Sequence, residues 1–167
     1  MTTTSTVKFA TPSDREIVLT RVFDAPRARV FDAWTRPELL GRWFLPRGWS
    51  LVVCEVDLRV GGAWRFVVRG PDGTDMETGG VYREVVPPER FVHTQWFSRR
   101  RGIIGAGESL ATAVLVEQDG KTMLSTTVLY PLQEVRDAVL NSGMEHGVAA
   151  SYDRLGELLA SSSRGRA

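Results

Sequence analysis

The chain has 167 residues, a length that suits one domain able to bury roughly 70% of its unfolded surface without metals or disulfides. Its 21 basic and 20 acidic residues leave a net charge of +1, which argues against nucleic acid or an acidic membrane surface as a partner. The single cysteine, Cys54, excludes an internal disulfide, and no apolar leader or run of about 18 apolar residues predicts secretion or membrane insertion, so a cytoplasmic setting is expected.

One domain is expected over residues 15–161, between two flexible tails. Residues 1–14 begin with a run of Thr and Ser and show no sustained hydrophobic period, and residues 162–167 are similar in composition. Neither a repeat nor a linker divides the chain between them.

The first part of the domain is predicted to be a strand followed by two short helices. Apolar residues alternate over about Glu16–Phe23, as in a strand with one buried face. The next segment places Val30 and Trp34 on one helical stripe. Pro37 then disfavours helical geometry in the residue before it, so a second short helix, which carries Trp43, begins there.

The middle of the chain is predicted to be extended throughout. The pair Gly61–Gly62 and the Asp-Gly pairs at 72–73 and 119–120 separate apolar segments, and Asp-Gly is a strong signal for a tight antiparallel turn. Six strands are predicted, at about 50–57, 63–69, 75–86, 90–97, 108–117 and 121–130.

After Pro131 the apolar residues recur with helical spacing. A break near Ser142–Gly143 separates a short run from a helix of about 18 residues whose stripe includes Met144, Val148 and Leu159. Such a stripe needs a partner, and the predicted antiparallel sheet is the only large one in this chain.

Several segments, in this order, resemble the bacterial branch of the Hsp90-ATPase-activator-homologue family, which belongs to the START-like (SRPBCC) superfamily. The resemblance covers residues 16–160. The segments that carry it are Arg21–Pro26, Trp34–Glu38, Asp57–Trp64, Pro87–Arg90 and Gly143–Gly147.

The resemblance implies an α+β helix-grip fold. In that fold a seven-stranded curved antiparallel sheet wraps around the long C-terminal helix, two short helices follow strand 1, and a cavity lies between sheet and helix. In the superfamily the cavity takes lipids, sterols, polyketides or other hydrophobic small molecules, whereas members of the family differ widely in function.

Candidate cavity residues lie on the central strands and on the last helix. Ligand sites are mostly apolar with a few placed polar groups, and core packing is the competing interpretation of every aromatic residue. In the strand predicted at 90–97, alternation places His93 and Gln95 on one face and Trp96 on the other. Both faces carry apolar residues, so the sequence does not show which one lines the cavity. The predicted ligand-binding set is Trp64, Phe66, Tyr82, His93, Gln95, Trp96, Met144 and Val148.

Other patterns give weaker signals. Two distant histidines and one cysteine form no metal-ligand cluster, and the chain has neither a nucleophile elbow nor a phosphate loop, so no metal and no cofactor are predicted. Asp75 and Glu77 are interpreted as exposed hairpin charges, and Cys54 as a buried inert thiol. The loop at 98–107 could gate a cavity mouth.

Three functions follow as hypotheses. The first is non-catalytic binding of a small hydrophobic or aromatic molecule in the cavity. The second is a cyclase- or hydrolase-like enzyme that uses the same cavity with a weak acid or base such as His93, Tyr82 or Glu84. The third is a protein-interaction module related to chaperone ATPase activators, although the eukaryotic activators carry an additional N-terminal domain for which this chain has no room. A homodimer is an option that the sequence leaves open.

Overall fold

The computed structural model describes residues 6–45, 48–99, 102–103 and 108–164, without the side chains of 97–99, 102–103 and 161–164. The fold is α+β, with a curved antiparallel sheet and four helices in the described residues. In chain order the elements are β1 (Lys8–Ala10), β2 (Glu16–Phe23), α1 (Arg27–Thr35), α2 (Pro37–Trp43), β3 (Ser50–Val56), β4 (Ala63–Arg69), β5 (Asp75–Val86), β6 (Arg90–Arg99), β7 (Gly102–Ile103), β8 (Ser109–Gln118), β9 (Lys121–Leu129), α3 (Gln133–Asn141) and α4 (Met144–Arg164).

Eight strands follow one another across the sheet in the order β1-β2-β9-β8-β6-β5-β4-β3, and β7 pairs with β6. The seven long strands are those predicted from alternation. Asp119 and Gly120 both have positive φ, 55° and 78°, as a tight hairpin turn between β8 and β9 requires.

Two short strands and the last helix differ from the prediction. Lys8–Ala10 lies within the predicted N-terminal tail but pairs with Val18–Thr20, because the open edge of β2 offers backbone partners and Val7 and Phe9 pack against the core. β7 lies in the predicted loop. α4 continues to Arg164, so residues 162–164 are helical and were wrongly predicted as part of a tail.

The inner face of the sheet holds the core. On β2 the odd-numbered residues from Ile17 to Phe23 are buried, while the even-numbered ones point outward. α4 lies across this inner face. From Tyr152 onward the helix buries Tyr152, Leu155 and Leu159 against a cluster that includes residues of α1 and α2.

Arginine side chains fasten α4 at several places. Arg154 donates to the backbone oxygen of Arg42, in the last turn of α2, at 3.1 Å, and to that of Leu45, two residues beyond the helix. Carbonyls at the end of a helix lack helical partners. Arg29 of α1 donates to the Leu159 oxygen at 3.1 Å. Since these contacts all lie near the C-terminal half of α4, that half is held on the two short helices.

Candidate functional site

The hairpin that precedes β4 sets the register of one wall of the interior. Gly61 has φ of 85°, a left-handed conformation that favours glycine. A Cβ at Gly62 would lie 2.0 Å from the backbone oxygen of Asp57, so only glycine fits there. Two backbone bonds, each joining a residue of this pair to Tyr82, then tie the turn to β5. Trp64 and Phe66 therefore enter the inner face at fixed positions.

Trp64 crosses β5 to reach β6. In the sheet Trp64 pairs with Gly80 of β5, and its ring Nε1 donates a hydrogen bond of 3.2 Å to the backbone oxygen of Thr94 on β6. A Cβ at Gly80 would lie 1.9 Å from that same oxygen. The glycine thus allows the indole N–H to be satisfied in the interior. Glycine inside a strand often marks such a close approach, and this signal was overlooked in the sequence.

His93 lies on the inner face, which answers the question that alternation left open. Its imidazole is half-buried, with ring centroids 5.0 Å from Trp64 and 6.0 Å from both Tyr82 and Phe91. The Nδ1 atom is 3.1 Å from the backbone oxygen of Thr94. Because a carbonyl only accepts, Nδ1 carries the proton in the neutral ring and Nε2 is left as an acceptor.

Burial keeps this imidazole neutral. Desolvation lowers the pKa of His93, and the hydrogen bond to Thr94 opposes the shift without overcoming it. At neutral pH the interior therefore contains an uncharged ring that accepts a hydrogen bond among aromatic side chains. A neutral donor such as a hydroxyl group is its natural partner.

Two other ionisable groups on this wall stay protonated at neutral pH. Burial raises the pKa of the Cys54 thiol to about 11, which agrees with the predicted inert cysteine. Burial also raises the pKa of the Tyr82 hydroxyl, with a smaller contribution from Cys54. Neither group is therefore a ready nucleophile or base.

The rest of the inner face beside His93 is formed by small or polar residues. His93 pairs with Ala111 of β8, and Gln95 pairs with Ser109. Across the interior, Met144 and Val148 of α4 are only half-buried, and Val148 packs against clusters on both sides. Seven of the eight predicted residues thus face one interior region from the elements that enclose it.

Trp96 is the exception, because it points outward. It lies three residues from the inward-facing His93, and its ring occupies the space beside Gly79, where a Cβ would be 2.8 Å from a Trp96 ring carbon. Gly79 is paired with Arg65, which alternates with the inward-facing Trp64 and Phe66. Including Trp96 in the interior set was therefore wrong.

The remaining predicted polar residues lie elsewhere on the molecule. Glu84 is exposed and accepts a 3.0 Å hydrogen bond from Arg90, which removes it from an interior acid–base role. Asp75 and Glu77 pair with Arg69 and Arg65, in agreement with hairpin charges. In the loop at 98–107, residues 100–101 and 104–107 lie outside the described part of the chain.

An open surface cleft of about 460 Å³ lies beside the turn between β4 and β5, away from the predicted set. Its walls include Trp49, Pro71 and Asp72. Within the described residues, no group of three or more His, Cys, Asp and Glu side chains could hold a metal ion. Nor is any described helix long and apolar enough to cross a membrane.

The sequence profile of one protein family, described as "Activator of Hsp90 ATPase homolog 1-like protein", matches residues 24–160. The chain belongs to this family. The matched span begins at the end of β2 and closes near the end of the described part of α4, so the interior region falls within it.

Solved structures of bacterial proteins share the fold of this activator-homologue chain. A protein of Rhodobacter sphaeroides is 30% identical, with a TM-score of 0.86 over 93% of this chain and 99% of that one. A protein of Nitrosomonas europaea is 25% identical, with a TM-score of 0.80 over 92% and 99%. A protein of Chromobacterium violaceum is 30% identical, with a TM-score of 0.73 over 86% and 96%. No curated protein matches the chain. The helix-grip architecture expected from the resemblance is thereby confirmed.

Proposed function

We propose that this protein binds a small hydrophobic or aromatic molecule between the sheet and the N-terminal half of α4, without covalent chemistry. The observation that carries the proposal is the environment of His93, a neutral acceptor that faces an interior lined by Trp64, Tyr82 and Phe91. Apolar walls with a few placed polar groups are typical of ligand sites.

The aromatic side chains and His93 would contribute to binding in different ways. Burial of an aromatic ligand contributes about 25 cal/mol for each Å² of apolar surface removed from water, and this term favours any ring that fits. A hydrogen bond to His93 Nε2 adds about 1 kcal/mol when the ligand offers a donor. We therefore expect a ligand with one hydroxyl group, such as a phenol, to bind more tightly than the same ring without it.

We propose no covalent chemistry because of the protonation and position of the groups considered as catalysts. Cys54 and Tyr82 both remain protonated at neutral pH, because burial raises their pKa. Glu84, the carboxylate considered for an enzyme, is on the surface. His93 would have to act without a charged partner from this set.

Native mass spectrometry and calorimetry with phenols, flavonoids and fatty acids test the proposal. Val148→Trp places a large ring in the interior and should weaken binding of any ligand found about tenfold or more, a change of about 1.4 kcal/mol. Val86→Trp is the matched control, since Val86 is exposed at the end of β5 and should leave the affinity unchanged.

Two results would count against the proposal. One is that no compound from these classes binds with a dissociation constant below about 1 mM. The other is that Val148→Trp binds the ligand as well as the unchanged protein does, since the ligand would then lie elsewhere.

Stimulation of a chaperone ATPase is a second candidate, and membership in the family is what favours it. An ATPase assay with an Hsp90 chaperone, at saturating concentrations of this protein, tests it directly. A rate equal to that of the chaperone alone would remove this candidate and leave small-molecule binding unaffected.

A further inference from the structure

One part of the outer sheet face carries no charge at its centre. On β2, β9 and β8 the inward positions are buried, apart from the half-buried Thr126, so the intervening residues point outward. These outward residues are named the uncharged sheet face, and they are Val18, Thr20, Val22, Thr112, Val114, Val116, Met123, Ser125 and Thr127.

The other half of the same outer surface is different. On β3, β4 and β5 the outward positions include Glu55, Arg65 and Glu77, and Arg65 pairs with both carboxylates. Arg69 pairs with Asp75 at 2.7 Å on the same side. This half has the cross-strand ion pairs expected of a sheet surface that faces water.

The uncharged sheet face also exposes large apolar side chains in a continuous row. Val22 pairs with Met123, which pairs with Val116, so the three are neighbours across three strands. They are 39%, 41% and 49% exposed. Single exposed apolar residues are common on protein surfaces, whereas a contiguous group of them marks a candidate contact surface.

We propose that the uncharged sheet face is covered by the same face of a second copy of this chain. In a twofold dimer a surface packs against itself, so charges near its centre would meet like charges at a cost in affinity. No residue of this face is charged. Its charged neighbours, Lys8 and Arg90, lie at opposite ends of the cross-strand row that contains Thr20, Ser125 and Val114. Its Thr and Val side chains are suited to interdigitation between two stacked sheets.

The size of the face fits such a contact. Its nine residues lie in three rows on three strands, and with strands about 4.8 Å apart and rows about 6.8 Å apart they cover roughly 300 Å² in projection. The next row, Leu129 and Leu110, and the adjoining strand β6 extend the surface to four rows on four strands, or roughly 500 Å². Accessible area exceeds projected area, so this approaches the roughly 800 Å² that each partner buries in a standard interface. α4 and the interior lie on the opposite side of the sheet, so a dimer of this kind leaves the proposed ligand site unobstructed.

Analytical ultracentrifugation of the full chain tests the proposal. We expect a dimer, and we expect the double variant Val116→Glu with Met123→Glu to weaken its dissociation constant about 100-fold or more, because four carboxylates would then meet at one interface. Val52→Glu is the matched control: Val52 is 45% exposed on β3, in the other half of the sheet, and should leave the dimer intact.

Circular dichroism checks that each variant is folded, and Thr112→Arg, a single change within the same face, replaces the double variant if the latter unfolds. A protein that stays monomeric up to about 1 mM would overturn the proposal. It would also be overturned by a dimer that tolerates the charges on the uncharged sheet face, or by one that Val52→Glu disrupts equally.

Discussion

The two halves of the interior beneath α4 are built differently. Toward the C-terminus of the helix, Tyr152 and Leu155 pack into a cluster with Leu40 and Trp43, and all four are buried. Toward its N-terminus, Met144 and Val148 are half-buried and pack at the edge of a second cluster, which includes Ile17, Ala111 and Val128. The strand next to Ala111 carries the polar side chain of His93.

This difference suggests a division between anchoring and recognition. A region packed to the density of an organic crystal has no room for a ligand and transmits strain, whereas half-buried side chains retain surface that a ligand can cover. The arginine contacts follow the same division, since Arg29 and Arg154 both hold the C-terminal half of α4 to the short helices. One half of the helix can thus hold the fold while the other meets the ligand.

The largest expected contrast is between truncations in the two halves. Leu155→Ala should lower the free energy of unfolding by about 3 kcal/mol or more, because it leaves a cavity in a packed cluster. Val148→Ala should cost about 1 kcal/mol, because its side chain is half-buried before the change. Urea unfolding of both variants measures the difference, and equal losses would contradict the division.

The second test concerns the sheet wall rather than the helix. Gly80→Ala should cost about 2 kcal/mol, as overpacking does, because the new methyl group would meet the Thr94 oxygen and displace the Trp64 ring from it. Gly41→Ala is the control, since its methyl group would meet nothing within 4 Å in α2 and alanine favours a helix. Unfolding free energy and tryptophan fluorescence report both effects. A Gly80→Ala protein as stable as the original would show that the interior near Trp64 yields easily.

The elements of this fold could be predicted from the sequence because their signals are local. Alternation and Asp-Gly turns identified the long strands, and the spacing of apolar residues identified the helices, since each depends on neighbours within a few positions. β1 could not be found this way. A three-residue strand has too short a pattern, and Lys8–Ala10 is extended because β2 offers it a partner 8 to 12 positions away.

The site was harder to predict than the fold because it depends on pairing between strands. Both faces of β6 contain apolar residues, so only the contacts of His93 with Trp64 and Tyr82 show which face is inside. Trp96 was misplaced for this reason. The close approach of Trp64 to Thr94 across Gly80 likewise needs the register of three strands, which no single segment contains.

The smallest expected effect is the dependence of stability on the protonation of His93. Burial lowers the pKa of this imidazole in the folded chain, so below about pH 6.5 the unfolded chain binds more protons than the folded one. Stability from this residue is therefore fully present above about pH 6.5 and decreases as the pH falls toward the lowered value.

Between pH 7.5 and 5.5 the loss is at most about 1.4 kcal/mol relative to His93→Gln, which lacks the titrating group. Unfolding free energies of both proteins at the two pH values measure it, with the carboxylate contributions common to both cancelling in the difference. The same loss in His93→Gln would mean that His93 remains well solvated, and the polar part of the interior would then be open to water rather than enclosed.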